Sequence, residues 1–302
     1  MARENRERLF DKFSYLFTCF PIYGRYSMIE LPEAFTLAEQ INKTISGKKI
    51  TNVTAAHTPH KLVWYYGDPD QYYSLLVGHS IDKATAFGAL VQIKVADSAI
   101  LFGDGVNLRF QDKNDTYPEK HQLLVEFEDL TAISASVQMY GGVGCFREGD
   151  LDNPYYQAAR EKPSPLSSKF SDKYFARLIS APEVQKLSAK AFLATEQRIP
   201  GIGNGVLQDI LFDARVHPKK KIRTFSDREK ESLFKSTRAV LLEMSRRGGR
   251  DTEKDLFGNP GGYKTKLSKK TVGKSCLGCG STISKDNYLG GSIYFCTKCQ
   301  KP

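Results

Sequence analysis

The sequence lacks an apolar run long enough to cross a membrane. Its longest such run, residues 13–20, is short and is interrupted by Ser14 and Thr18, whereas a spanning helix needs about 20 apolar residues. We therefore expect no transmembrane helix and no membrane partner. Residues 1–27 begin with mixed charges and resemble a secretory signal only faintly, so we interpret them as an upstream translated or appended leader.

Cysteine is scarce, and its spacing argues against a disulfide-linked scaffold. The 302 residues contain six cysteines, of which four form two Cys-x-x-Cys pairs while Cys19 and Cys145 stand alone. This pattern favours metal binding in a reducing compartment over a secreted protein. We predict a cytoplasmic location, associated with the nucleoid if the source is bacterial.

The net charge of +10 is concentrated in the C-terminal part of the chain. Residues 186–302 contain 24 Lys and Arg against 11 Asp and Glu, a net charge of +13, whereas the remainder has 20 against 23, a net charge of −3. Such an asymmetry is typical of a protein that binds nucleic-acid phosphates. Solubility alone is the alternative, and charge by itself does not decide between the two.

Residues 28–147 predict one helix followed by a β-rich domain. Apolar residues recur at helical spacing over residues 32–46, and Gly47 follows as a stop. Turns are predicted at residues 96–98 and 128–129. Short β-rich runs are predicted at Leu62–Tyr66, Leu90–Val95, Ala99–Phe102, Leu123–Phe127 and Ala132–Val137. A helix with several short antiparallel strands favours a β-sandwich or barrel-like domain.

The C-terminal half predicts helices and then a small metal-binding element. Residues 148–170 are rich in proline and polar residues and are predicted to be a linker, and residues 171–250 a helical domain. Residues 251–302 combine an irregular connection with a cysteine-rich end, which completes an α+β, multidomain chain. The predicted helices are Asp172–Ser180, Pro182–Ala194, Gly205–Ala214 and Asp227–Ser245. Ser226 is predicted to begin the last of these helices and Gly248-Gly249 to stop it.

The two Cys-x-x-Cys pairs predict one structural zinc ion. Sixteen residues separate the pairs, enough for a β-hairpin with its turn at Gly290-Gly291 that closes a tetrahedron of thiolates. Four thiolates leave zinc no open position, so its role is structural. Two redox-active pairs without a metal are the weaker alternative. The predicted ligands are Cys276, Cys279, Cys296 and Cys299.

Two further segments are candidate phosphate contacts. The turn Pro200-Gly201-Ile202-Gly203-Asn204 joins two predicted helices, and its glycines allow backbone N–H groups to approach a phosphate. The run from His217 to Lys221, with Lys219 and Lys220, follows the second of these helices and adds positive charge. An ordinary helix connection and a solvated charge run are the alternatives.

Taken in order, these motifs resemble the formamidopyrimidine-DNA glycosylase and endonuclease VIII family. The resemblance covers residues 28–302: Met-Ile-Glu-Leu-Pro-Glu at 28–33, a helix, a β domain, a helix–two-turn–helix element with Gly-Ile-Gly-Asn at 201–204, and a four-cysteine finger. It implies a helix–two-turn–helix domain that binds double-stranded DNA, damaged or abasic. It also implies that the protein is a monomer. It also implies that Asn204 contacts a phosphate, as do Gly201 and Gly203.

The resemblance also implies catalytic roles, which this sequence matches only in part. The family's nucleophile is an N-terminal amine, and its position is taken by Ile29, whose nitrogen can act only if it is freed. The family's general acid/base matches Glu30, and the second glutamate of the motif matches Glu33. A carboxylate that stabilises a helix start is the alternative role for both.

Several family residues are replaced. The phosphate-binding lysine of a β-turn falls on Ala89, and the arginine of the finger falls on Gly291. Family members fill the gap left by a flipped base with an aromatic residue and an arginine; in this sequence Tyr140 keeps the aromatic ring and the arginine is lost. Asp104 lies near the position where other members insert an apolar residue into the same gap. The scaffold for extruding a nucleotide is thus retained, and the lyase residues are depleted.

The sequence therefore favours a base-excision repair enzyme. We expect a DNA glycosylase acting on oxidised bases, with or without abasic-site lyase activity, in which Glu30 activates the sugar or a water and Asp104 is its partner. The alternative is a non-catalytic protein that binds damaged or distorted DNA. A zinc-dependent transcription factor would need a helix that reads the major groove, and no segment has that pattern.

Overall fold

The computed structural model describes residues 28–301, which begin with a helix packed on a seven-stranded sheet. The leader predicted at residues 1–27 lies outside the described residues. The helix predicted over residues 32–46 is α1 (Leu31–Thr44). A short helix, α2 (Tyr72–Leu76), packs nearby. The strands are β1 (Ile50–Ala55), β2 (Val63–Tyr66), β3 (Ile81–Phe87), β4 (Leu90–Val95), β5 (Ser98–Gln111), β6 (Leu123–Phe127) and β7 (Ala132–Arg147).

The sheet is organised around its two longest strands. Its order is β1-β6-β7-β5-β4-β3, with β2 added parallel to β7. Strands β5 and β7 pair along almost their whole length, with an irregularity between Asp104 and Val106. The runs predicted at 99–102 and 132–137 are therefore parts of two much longer strands. Buried side chains from six strands, α1 and α2 share one core, so the domain is a single sheet with helices packed on it.

The two predicted hairpin turns are confirmed, and two strands were missed. Strand β4 turns into β5 at residues 96–97, and β6 turns into β7 at residues 128–131. Strands β1 and β3 escaped prediction because each alternates a few buried residues with several exposed polar ones. Backbone hydrogen bonds to β6 and β4 stabilise these two strands, whose own sequences contain few apolar residues.

A second core lies among the helices of residues 154–246. These are α3 (Pro154–Glu161), α4 (Asp172–Ser180), α5 (Ala189–Ala194), α6 (Val206–Asp213) and α7 (Asp227–Arg246). Ser226 begins α7 as predicted, because its hydroxyl accepts the Glu229 N–H and the Glu229 carboxylate accepts the Ser226 N–H. The helix predicted over residues 182–194 is wrong in extent: Ser188 caps a shorter α5 that follows a separate 3-10 turn.

Helix α3 lies within residues 148–170, the segment that the sequence predicts to be a linker. Asn153 caps it by accepting the Tyr156 N–H at 3.0 Å, and Pro154 occupies its first turn. Tyr156 is buried, packs edge-on against Phe146, and donates its hydroxyl to Gln92 at 2.6 Å. Pro154, one of the prolines that favoured a linker here, lies in the first turn of a helix.

The C-terminal finger is a two-stranded hairpin that follows an irregular connection. Strands β8 (Ile283–Tyr288) and β9 (Gly291–Cys296) pair antiparallel around the predicted turn. Residues 251–274 contain no helix or strand, as predicted. Asp209 of α6 holds this connection by accepting the N–H groups of Lys266 and Leu267 at 2.9 and 2.8 Å. The α+β class predicted from the sequence is confirmed.

No helix among residues 28–301 is long and apolar enough to cross a lipid bilayer.

The sheet and the helical core touch through two glycines. Gly201 has a φ of +88°, and a Cβ there would lie 2.6 Å from the carbonyl carbon of Gly88, in the β3–β4 turn. The Leu31 N–H at the start of α1 donates to the Gly201 carbonyl at 2.9 Å. The turn at residues 200–204 is thereby fixed against both the hairpin and the N-terminal segment.

We expect Gly201→Ala to destabilise the protein more than Gly47→Ala. Both glycines have a positive φ, but Gly47 has no atom within 4 Å of its Cβ position. The Gly47 variant should therefore lose about 1–2 kcal/mol of unfolding free energy, because alanine disfavours a positive φ. The Gly201 variant should lose a further ~1–3 kcal/mol, because its Cβ would overlap the backbone of the neighbouring turn. Urea unfolding of the full chain measures both; equal losses would contradict a close contact at Gly201.

Candidate functional site

The carboxylate of Glu30 lies at the start of helix α6. It accepts the Gly205 N–H and the Val206 N–H, both at 2.8 Å. Any side chain at position 203 would collide with it, because a Cβ on Gly203 would lie 2.6 Å from its Oε1. The glycine-rich turn is therefore shaped to receive Glu30, and these two N–H groups are already bonded rather than directed at a phosphate.

Arg250 links the two glutamates of the N-terminal motif. Its guanidinium donates to both oxygens of Glu33, from Nε at 3.0 Å and from Nη2 at 2.8 Å, and its own backbone N–H donates to Glu33 at 3.0 Å. Its Nη1 lies 3.5 Å from the Oε1 of Glu30. A side chain on Gly205 is excluded, because its Cβ would lie 1.5 Å from that Nη1.

The charges of this cluster do not balance. Three buried carboxylates, those of Glu30, Glu33 and Glu253, surround a single buried guanidinium. Burial would lower the pKa of Arg250, but the three carboxylates raise it well above its usual value. Burial raises the pKa of Glu30, against the lowering effect of Arg250 and of the two α6 N–H groups. The partial positive charge at the N-terminus of α6 offsets part of the excess negative charge of the carboxylates.

The segment before α1 is held on both sides. The Met28 N–H donates to Glu253 at 2.8 Å, and the Met28 carbonyl accepts a bond from Arg250 at 3.3 Å. The Ile29 N–H donates to the Asp104 carbonyl at 2.8 Å, and the Ile29 side chain is buried in the sheet core. In this chain the Ile29 nitrogen is thus a bonded peptide nitrogen, which cannot attack a sugar.

Asp104 lies beside this segment at the irregularity of β5. Its φ is +57°, unusual for a residue other than glycine. Burial raises the pKa of its carboxyl to about 6. Tyr140 lies in its electrostatic range, and burial, Asp104 and Glu30 together raise the pKa of that phenol. Trp64 stacks on Tyr140 with ring centroids 6.1 Å apart. The Asp104 carboxyl therefore lies within electrostatic range of tyrosine rings, on the residue whose carbonyl bonds the segment next to Glu30.

The finger docks on α6 through two buried glutamines. The Gln208 amide donates to the carbonyls of Asn204 and Ser292 at 2.9 and 3.1 Å, and its oxygen accepts the Tyr294 N–H at 3.0 Å. Gln300 donates to the Val216 carbonyl at 3.0 Å and accepts the Cys296 N–H at 2.9 Å. The exposed Asn204 also donates to Ser292, at 3.0 Å. The turn and the finger thus form one surface.

Lys219 and Lys220, which the sequence marked as phosphate contacts, each make an ion pair within the chain. Lys219 pairs with Asp286 on the finger hairpin and lies over the ring of Tyr288. Lys220 pairs with Glu229 at 2.7 Å. Their positive charge is partly neutralised in place, so they stabilise the docking of the finger and the start of α7.

The four cysteines form a compact group that could hold a metal ion. All four sulfurs lie within 4.8 Å of one another. The Sγ atoms of Cys276 and Cys299 are 3.9 Å apart, and those of Cys279 and Cys296 are 3.4 Å apart. These separations resemble the ~3.8 Å edge of a tetrahedron with 2.3 Å zinc–sulfur bonds.

Several residues of this site gave no signal in the sequence. Arg250 is the last residue of the predicted helical domain, Glu253 lies in the connection predicted to be irregular, and Gln208 looked like an ordinary helical residue. The Arg250–Glu33 contact joins residues 217 positions apart. The Gly248-Gly249 pair that precedes Arg250 was interpreted only as the stop of α7.

Proteins of similar sequence are known over most of the chain, although no protein-family model matches it. Curated formamidopyrimidine-DNA glycosylases from Listeria innocua and Streptococcus pneumoniae are 26% and 27% identical over 287 and 285 residues, in each case 91% of this chain and 100% or 99% of the relative.

Solved structures agree on the fold. The MutM (Fpg) protein of Thermus thermophilus superposes with a TM-score of 0.74 at 23% identity, covering 90% of this chain and 98% of the other. The Lactococcus lactis Fpg in complex with DNA containing an abasic site superposes with a TM-score of 0.78 at 22% identity, covering 90% and 100%. Nine-tenths of this chain therefore shares the fold of these proteins.

We expect Arg250→Met to cost about 3–5 kcal/mol of unfolding free energy, because it leaves buried carboxylates unpaired. Arg247→Met is the matched control: Arg247 pairs with Glu243 at 2.5 Å on an exposed helix face, where a pair contributes at most ~1 kcal/mol.

The comparison is made by denaturant unfolding at several pH values. The cost of Arg250→Met should shrink as the pH falls towards 4, since protonation removes the unpaired negative charges. A cost that equals that of Arg247→Met, or that does not change with pH, would contradict the buried cluster.

Proposed function

Because the chain is a divergent homologue of the formamidopyrimidine-DNA glycosylases, we propose that it is a base-excision repair enzyme. It binds double-stranded DNA at a damaged or abasic nucleotide and breaks the glycosidic bond of an oxidised base. One observation carries the proposal: where the sheet and the helical core touch, Glu30 bonds the turn at residues 201–206 and the neighbouring Ile29 bonds the Asp104 carbonyl. Relatives bearing this activity in their names match 91% of this chain.

Hydrolysis is the chemistry that these residues support best. Asp104 takes a proton from a water whose oxygen forms a bond to the sugar C1′; the C1′–N bond breaks, and its electron pair leaves with the base, which solvent protonates. Glu30 stabilises the positive charge that develops on the sugar. Glu33 is a positioning residue, since both of its oxygens hold Arg250.

Contacts with DNA are assigned to the turn beside this acid cluster, to Tyr140 and to the edge of the finger. Asn204, with Gly201 and Gly203 shaping its turn, contacts a backbone phosphate, and Tyr140 lies where an aromatic ring can fill the gap left by an extruded nucleotide. Lys219 and Lys220 contribute their charge at the edge of the finger. A single chain carries the complete set of contacts, so we propose a monomer acting in the cytoplasm or nucleoid.

Abasic-site lyase activity requires a free amine near C1′. The Met28 nitrogen, bonded to Glu253 at 2.8 Å, is the nitrogen that a chain beginning at residue 28 would expose. The alternative function, a non-catalytic binder of damaged DNA, is favoured by the bonded peptide nitrogen of Ile29 and by Ala89 and Gly291 at positions where the family has cations.

We expect the chain that begins at Met1 to release an oxidised base from a duplex without forming a covalent complex under borohydride. The chain that begins at Met28 should release the base and also form the trapped complex, because only its amine can form a Schiff base. Base release and trapping are measured on duplexes with single oxidised bases and with one abasic site. Tight binding without release from either form would leave the non-catalytic alternative.

Asp104→Asn should abolish base release while preserving DNA binding, and Asp82→Asn, an exposed carboxylate on β3, should change neither. In the unsubstituted protein, release should fall as the pH drops below about 6, where Asp104 becomes protonated. A raised carboxyl pKa lowers folding stability as the pH rises through it, so Asp104→Asn should also raise the melting temperature at pH 7. Retained release in Asp104→Asn would contradict its role.

We propose that the four-cysteine group holds one structural zinc ion, because four thiolates at these separations fit a tetrahedral ion with no open position. Purified protein should contain one zinc per chain, and Cys276→Ser should lose it together with DNA binding. Cys145→Ser removes a buried cysteine of β7 and should keep the metal. Elemental analysis decides; full zinc occupancy in Cys276→Ser would contradict the site.

A further inference from the structure

The turn of the finger hairpin contains a leucine in an unfavourable backbone conformation. Tyr288 pairs with Gly291, so Leu289 and Gly290 form the two-residue turn between β8 and β9. Both have a positive φ, +48° and +71°, which is the pattern of a type I′ turn. Such turns favour glycine, asparagine or aspartate at the first position, since a larger side chain is strained at a positive φ. Leucine at this position therefore lowers the stability of the finger.

Packing within the chain does not offset this strain. The Leu289 side chain is 46% exposed and belongs to no core cluster among residues 28–301. A single exposed leucine is ordinary on a protein surface, but an exposed leucine that is also strained has two properties that disfavour the free protein. Strained residues cluster where strain serves a function. Leu289 is thus suited to a contact that forms only with a ligand.

The hairpin tip is fixed relative to the glycine-rich turn. The Nζ of Lys190, on α5, donates to the Tyr288 carbonyl at 2.6 Å, just before the tip. Asn204 donates to the Ser292 carbonyl at 3.0 Å, just after it. The two residues that follow Leu289 are glycines, so between Tyr288 and Ser292 the leucine alone carries a side chain. It is therefore an apolar point at the edge of the surface that the turn and the finger form together.

We propose that Leu289 inserts between neighbouring bases of duplex DNA, beside the nucleotide held at the site. The net positive charge of residues 186–302 attracts the phosphates, and the apolar tip fits the faces of the bases. Apolar side chains inserted in this way from the minor groove unstack a base step and bend the duplex. The inference rests on the proposed function in that it takes duplex DNA as the ligand. It assigns the finger a contact with the base stack, which its structural metal site alone does not require.

The test replaces Leu289 with asparagine and makes the same substitution at Leu130. Leu130 is the matched control, because it is also an exposed leucine with a positive φ, +69°, but lies in the turn between β6 and β7. Both Leu289→Asn and Leu130→Asn should keep or raise the melting temperature, since asparagine tolerates a positive φ. Only Leu289→Asn should weaken binding to a duplex with one tetrahydrofuran abasic analogue, by about tenfold, the loss expected when one buried leucine contact is removed.

Insertion is measured with 2-aminopurine placed beside the abasic analogue, because its fluorescence rises when the base is unstacked. The rise should be lost with Leu289→Asn and retained with Leu289→Met, which keeps an apolar side chain. The dependence of affinity on salt concentration should stay the same in both variants, since leucine neutralises no phosphate. A Leu289→Asn protein with the affinity and the fluorescence rise of the unsubstituted protein would overturn the insertion.

The melting temperature and zinc content of each variant separate insertion from folding of the finger. A lower melting temperature or a loss of zinc in Leu289→Asn would show that the leucine packs within the finger, and would also overturn the inference. A fluorescence rise that depends on Leu289, together with equal affinity for the abasic and the undamaged duplex, would support insertion and contradict the proposed repair function. The two ideas can therefore fail separately.

Discussion

The contact on which the rest of the site depends is the buried guanidinium of Arg250 against Glu33 and Glu30. It joins the segment that enters α1 to the chain that leaves α7, 217 residues further along. Glu30 then bonds the start of α6, so one cluster connects the sheet, the turn at 201–204 and the connection to the finger. Breaking it would leave buried carboxylates unpaired. Gly203 and Gly205 leave no room for a side chain, because a Cβ at either position would overlap Glu30 or Arg250.

This cluster also limits the chemistry. Glu30 is held by two N–H groups and a guanidinium, so it suits a fixed negative charge better than a mobile proton donor. Asp104 has fewer partners, a strained backbone and a pKa raised to about 6 by burial, which suits a group that accepts a proton near neutral pH. The loss of a free amine at Ile29 and the survival of two acids are consistent with hydrolysis rather than with obligatory lyase chemistry.

How much the sequence could predict depended on how local the signal was. The cysteine pairs, the Ser226 cap and the turn before β5 are set by residues a few positions apart, and the structure has them where the pattern indicated. Strands β1 and β3 carry too few apolar residues to be recognised without their partners. Arg250 and Lys190 were missed because what matters about each is a contact with chain far away in sequence, to Glu33 and to Tyr288.

The measurement that tests the account most directly is the affinity of the full chain for one duplex in two forms, undamaged and with a single abasic analogue at its centre, at the same salt concentration. A protein that extrudes a nucleotide avoids the cost of unpairing at an abasic position, so we predict tighter binding to the abasic form by tenfold or more. Equal affinity for the two duplexes would show a protein held by backbone charge alone, and would contradict a function in base excision.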